Sequence, residues 1–203
     1  MDAFVHFLHM SWHNLRFLPI SPLAQLAPEA DGEVLDGLLE RAGVFRPTAP
    51  RLRDLDRLPQ LRAYLGQPGG GPVSRFCDGS FRALYAGESL ATCVAEMAFH
   101  HGRALAEGHE PAGAIRVFEA LVLKVTGRFR DLRAGYKVLH RPGDYAPAQA
   151  LGRTVKAAGE PGLAYRAVRH RGGACLALFL AAPVKVCTLK QMVALQWDGH
   201  RLG

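Results

Sequence analysis

The chain has 203 residues, 49% of them hydrophobic, with a mean hydropathy of +0.01, enough for a buried core and too apolar for a disordered chain. No run approaches the ~18 apolar residues of a membrane span, and the net charge of +7 with a pI near 9.6 suits an anionic substrate, an acidic protein partner or nucleic acid. The basic residues are scattered (Arg51, Arg57, Arg128, Arg133, Arg166, Arg171 among them), with no basic helix or aromatic-interleaved sheet, so direct nucleic-acid binding is not expected.

Residues 1–22 hold an apolar aromatic stretch ended by Pro19 and Pro22, a strand or a docked arm. It is broken by His6, His9, His13, Asn14 and Arg16 and lacks the features of a signal peptide, so a cytoplasmic location is expected. Asp31 to Ala42 reads as an amphipathic helix capped by Asp31 and stopped by Gly43, and Leu55 to Leu65 as a second short helix. The Gly-rich loop Gln67 to Pro72 marks a boundary, which divides the chain into an N-terminal extension over 1–70, packed on the core, and a catalytic domain over 71–203. That loop has neither a preceding strand nor a following Gly-Lys-Ser/Thr, so it is no P-loop.

Phe81 to Ala86 alternates as a strand, and Ser89 caps a helix from Leu90 to about His101 with Gly102 as its stop. On that helix Leu90, Val94, Met97 and His101 share the buried face, beside a polar stripe of Thr92, Glu96 and His100. A long strand follows over Ala114 to Val125, then a helix over Pro147 to Ala158 with Gly159 beyond its end. Leu163 to Arg169 and Ala174 to Leu180 read as strands around an Arg171-Gly172-Gly173 turn, and Val184 to Leu189 and Val193 to Trp197 as two more. Short strands mixed irregularly with few helices predict an α+β fold.

Cys77, Cys93, Cys175 and Cys187 have no C-x-x-C spacing and read as reduced core thiols, and no His or Cys pair has metal-ligand spacing, so no metal is expected. Neither a G-x-S-x-G elbow nor H-E-x-x-H occurs. Taken alone, Arg75 is a surface arginine, Tyr85 a core aromatic, Glu96 a helix-edge carboxylate, and His101 a core histidine.

Arg75, Tyr85 and Glu96 lie ten and eleven residues apart, with Leu-Tyr near the end of a strand and an Ala-rich helix delivering the glutamate. This pattern resembles the first signature of the RES domain family. The stretch Gly162 to Phe179 resembles the second, where such domains usually show Tyr-x-Ser-x-Arg before a Gly-Gly turn and an apolar strand; here Tyr165-x-Ala167-x-Arg169 stands in its place, with alanine for the serine. The family-like region runs from about Pro72 to Trp197.

The resemblance implies an ADP-ribosyltransferase-like fold, a mixed or antiparallel β core with flanking helices. It also implies the toxin of a toxin–antitoxin pair, acting on NAD beside an Xre-type antitoxin. NAD is then the substrate, no cofactor is required, and homodimerisation stays open. The implied catalytic residues are Glu96, Arg75 and Tyr85, with Arg75, Tyr85, Ala167, Arg169 and His100 in substrate binding and Lys156 a weaker phosphate contact. Arg75 offers a planar fork for a phosphate. Tyr85 offers a flat face for nicotinamide or ribose. Glu96 offers a carboxylate to meet positive charge at C1′ as the glycosidic bond breaks, and His100, one turn on, could orient it.

The expected reaction is cleavage of the nicotinamide–ribose bond by water or phosphate, attenuated by Ala167. The alternatives are ADP-ribosyl transfer to a protein, or a non-catalytic interaction module.

Overall fold

The structure is a computed structural model that describes residues 2–9 and 55–203; for residues 2–9, 55, 190 and 191 it describes the backbone alone. The predicted helix from Asp31 to Ala42 lies outside the described residues. The described elements run β1 (Asp2–His9), β2 (Leu55–Asp56), α1 (Leu58–Gly66), β3 (Leu84–Gly87), α2 (Leu90–Glu107), β4 (Ile115–Thr126), β5 (Arg130–Asp131), a 3-10 turn (Lys137–His140), α3 (Ala146–Ala157), β6 (Gly162–Arg166), β7 (Ala174–Leu178) and β8 (Val184–Gln196). All the strands belong to one sheet in the order β2-β8-β4-β1-β3-β7-β6-β5. Every pairing is antiparallel except that of β5 with β6. The fold class is therefore α+β, as the sequence predicts.

Residues 2–9 do not lie outside the sheet. They form an internal strand that pairs with β4 from Asp2 against Thr126 to His9 against Glu119, and meets β3 at His6 and Gly87. On α1, Leu61 and Leu65 are buried in the same cluster as Leu84, Leu123 and Leu178. The sheet and core thus both extend to the N-terminal side of residue 70.

Helices cover the sheet on both faces, which is why its inner strands read as near-continuous apolar runs. Along β6 and β7, Leu163, Tyr165, Cys175 and Ala177 face a cluster closed by Ala148 and Val155 of α3, whereas Ala164, Leu176 and Leu178 face the cluster closed by α1. A third cluster joins α2, through Cys93 and Leu105, to Phe118, Leu195 and Trp197.

Several predicted boundaries move: β3 begins at Leu84 and not at Phe81, α1 begins at Leu58 after the short strand β2, and α2 and β8 are each longer than expected. Helix α2 continues past the predicted stop at Gly102 to Glu107; a Cβ at residue 102 would meet Trp197 at an ordinary contact distance of 3.4 Å, and Gly108 is the cap. The two predicted C-terminal strands are one, β8. Its polar interruption falls where the register with β4 shifts, from Ala120 against Gln191 to Leu121 against Leu189, so that Lys190 is the extra residue of a bulge. The four cysteines are buried.

Candidate functional site

Arg75 lies in the loop before β3 and is buried, not exposed on the surface. Its Nη1 donates to the carbonyls of Leu139 at 3.1 Å and Arg141 at 2.9 Å, and its guanidinium lies over the Tyr145 ring at 4.6 Å. The loop is held from α3 by three positions on one helix face. Gln149 Nε2 donates to the Ser74 carbonyl at 3.0 Å, Gly152 passes so close to Phe76 that a Cβ would strike its carbonyl, and Arg153 donates to Asp78 at 2.6 Å. The Asp78 carboxyl is drawn down to about 2, first by its bonds with the Ser80 side chain and backbone and then by Arg153.

Tyr85, on β3, holds this loop from the other side. Its hydroxyl accepts the Phe76 N–H at 3.0 Å and shares a hydrogen bond with Ser74 Oγ at 2.8 Å. Burial pushes that hydroxyl up to about 12, against the pull of those same bonds.

Glu96 is carried by α2, whose N-cap Ser89 accepts the Thr92 N–H as the sequence predicts. Its Oε1 accepts two backbone amides of the loop between β6 and β7, Val168 N–H at 2.6 Å and Arg169 N–H at 2.9 Å. The Arg169 guanidinium lies 3.4 Å from the centroid of the Phe99 ring, one turn along α2. His100 is exposed and edge-on to Phe99, and no hydrogen bond joins it to Glu96 among the described residues. Its basicity is lowered, chiefly by desolvation and then by Arg169 and Arg75, against the opposing effect of Glu96. His101 packs edge-on against Phe118 at 5.0 Å, in keeping with a core histidine.

Tyr165 of β6, named in the second signature but given no part in the expected site, packs against Tyr85 and the turn after Arg75, and its strand leads into the loop that Glu96 holds. It is buried, edge-on to Phe76 at 4.8 Å and to Tyr85 at 6.5 Å. Burial raises its hydroxyl well above the usual range, with Cys175, Tyr85 and Glu96 adding to the rise and Arg75 opposing it. His140 closes the group. Its Nδ1–H donates to the Tyr136 carbonyl at 3.0 Å, its Nε2 accepts the Arg166 N–H at 3.3 Å, and burial lowers its basicity. Ser74, His140 and Tyr145 escape a sequence reading because no local pattern distinguishes them.

One expectation needs correction. Strand β6 ends at Arg166, so Ala167 and Arg169 do not continue one strand face with Tyr165. Ala167 instead donates its N–H to the Gly173 carbonyl at 2.9 Å and packs against the cluster around Tyr165. Lys156, the weaker phosphate candidate, donates to the Phe179 carbonyl at 2.8 Å and sits over the Phe81 ring.

A surface depression lined by Gly113, Trp197, Asp198 and Arg201 contains none of Arg75, Tyr85 and Glu96. No group of three or more His, Cys, Asp or Glu that could hold a metal ion occurs among the described residues, nor does a helix long and apolar enough to cross a membrane.

No curated protein matches the chain. Among solved structures, the M. tuberculosis MbcT–MbcA toxin–antitoxin complex matches with 13% identity and a TM-score of 0.45, over 97% of this chain and 85% of that one, a likeness too slight to argue from. The sequence model of the RES domain, in contrast, matches residues 48–198, which takes in Arg75, Tyr85, Glu96 and the stretch from Tyr165 to Arg169. With a match over well over half its length, the chain belongs to the RES domain family.

Proposed function

We propose that this protein is the toxin of a toxin–antitoxin pair and depletes NAD by cleaving its nicotinamide–ribose bond. The observation that carries the reading is that Tyr85 and the turn after Arg75 pack on Tyr165 while Glu96 holds the loop that follows that tyrosine, in a chain of the RES domain family. In the reaction, the C1′–N bond breaks and its electron pair leaves with nicotinamide, which becomes neutral; positive charge develops at C1′ and the ring oxygen. Glu96 meets that charge with a fixed carboxylate that needs no reorganisation. Arg75 supplies the planar fork for a phosphate of the dinucleotide, and Tyr85 the face beside the ribose. Water or phosphate then adds at C1′ and loses a proton to solvent. The partner is an Xre-type antitoxin, and the chain acts in the cytoplasm.

A second reading, a non-catalytic interaction module, is favoured by one observation: Glu96 Oε1 and Arg75 Nη1 are each already bonded to two backbone groups. Incubating the purified protein with NAD, with and without phosphate, and separating the products tests both. Nicotinamide with ADP-ribose marks hydrolysis, nicotinamide with a phosphorylated ADP-ribose marks phosphorolysis, and label from NAD retained on protein marks ADP-ribosyl transfer. No release of nicotinamide leaves the interaction module.

A further inference from the structure

We infer that His170 is a positioning residue that sets the Glu96 carboxylate through the loop between β6 and β7, an inference that rests on the NAD-cleaving reading of that carboxylate. The loop lies along a single stripe of α2. Thr92, Glu96 and Phe99 stand at i, i+4 and i+7, so they share one face of the helix, and each holds the loop by a different kind of contact. Phe99 carries the Arg169 guanidinium and Glu96 Oε1 takes the Val168 and Arg169 amides. Thr92 Oγ1 is 2.9 Å from His170 Nδ1.

The Thr92 end is built as an anchor. Thr92 is fully buried, and its hydroxyl lies between Ser89 Oγ at 2.9 Å and His170, a chain in which either direction of donation satisfies every member. The loop is also closed on itself: Gly173 N–H donates to the His170 carbonyl at 3.0 Å and Ala167 N–H to the Gly173 carbonyl at 2.9 Å. A Cβ on Gly173 would come within 2.8 Å of both His170 Nδ1 and Thr92 Oγ1, so a glycine there is what lets the histidine reach the helix. A rigid loop fixed at its far end can hold two amides against one carboxylate oxygen. This leaves Glu96 Oε2, which makes no hydrogen bond among the described residues, aimed by the loop for a ligand.

The test compares the parent with His170→Ala, His170→Asn and Thr92→Val in two measurements, backbone amide exchange and NAD turnover. If His170 positions Glu96, His170→Ala and Thr92→Val speed exchange at Val168 and Arg169 by about tenfold or more while strand amides of β4 and β8 stay protected. They also lower kcat by about tenfold to a hundredfold with KM little changed, since a misplaced catalytic group costs rate more than binding. Asparagine, which can present a polar atom near the place of Nδ1, restores most of both. Unchanged exchange in both variants overturns the inference whatever the activity. Faster exchange with an unaltered kcat also overturns it, since the loop would then be structural. A parent that releases no nicotinamide defeats the NAD-cleaving reading instead, and the exchange data then decide by themselves whether His170 holds the loop on Glu96.

Discussion

Replacing Glu96 by glutamine separates its two duties. The amide oxygen of a glutamine can still accept the Val168 and Arg169 N–H groups, so the loop stays in place while the negative charge is lost. Glu96→Gln is expected to keep the melting temperature of the parent and to lower NAD turnover by about a hundredfold or more; equal turnover would remove Glu96 from the chemistry. Tyr85 behaves differently, because its hydroxyl serves the fold. Phe76 is fully buried, and its N–H has the Tyr85 oxygen as acceptor. Tyr85→Phe keeps the ring but leaves that donor unsatisfied, which costs about 1–3 kcal/mol of stability and loosens the turn that carries Arg75. Chemical denaturation should show this loss, with weaker binding of ADP-ribose in calorimetric titration; a Phe variant as stable as the parent would mean that the hydroxyl bonds matter little. The structural duties, the loop held by Glu96 and the turn held by the Tyr85 hydroxyl, were not visible in the sequence. Arg75, Tyr85 and Glu96 could be found there because their spacing is a family pattern, whereas the partners of Glu96 are backbone amides, which look alike at every position.

The elements were legible where capping and turn chemistry agree with hydrophobic period. Ser89 starts α2 and a proline sits in the first turn of α3, as expected. Legibility fails where alternation outlasts the strand: Tyr165, Ala167 and Arg169 keep a period of two, but the chain leaves β6 after Arg166 and turns back so that Glu96 can reach its amides. Helix α3 offers a sharper trial of packing. Alanine at position 152 would gain about 1 kcal/mol in helix propensity over glycine. The new Cβ, however, would meet the Phe76 carbonyl, which is held in place by Gln149 and Arg153 beside it. Overpacking of this kind costs more than the gain, so Gly152→Ala is expected to lower stability by a net of about 1–3 kcal/mol, measured by urea denaturation, and to weaken NAD turnover by moving Arg75. The Asp78 bonds to Ser80 and Arg153 add a pH signature to the same interface. Because the folded carboxyl titrates at about 2, below its ordinary 3.8, their contribution is whole above about pH 4 and fades as the pH falls through 2.

At the scale of the molecule, one ion pair ties the segment before α1 to the middle of the sheet. Glu119 is almost fully buried on β4, and Arg57 meets it through Nη2 at 2.7 Å and Nε at 3.3 Å. Arg57→Met would strand that carboxylate, and breaking a buried pair from one side costs about 3–5 kcal/mol; replacing both partners by apolar residues should recover much of the loss. Thermal denaturation of the single and double variants decides the point, and a double variant no more stable than Arg57→Met would show that Glu119 is not the source of the cost.

The internal position of β1 bears on how the fold is reached. Without it the sheet would be two, β2-β8-β4 on one side and β3-β7-β6-β5 on the other, and the second carries both Tyr85 and Tyr165. The contacts that join the two, from Asp2 with Thr126 to His6 with Gly87, close very long loops, and long loops are slow to close because their entropy is lost before the contact forms. Were that seam open, β3 and β4 would present unpaired edges in the centre of the sheet, where they could pair with other chains. A chain whose seam is open therefore exposes two strand edges that the closed sheet hides.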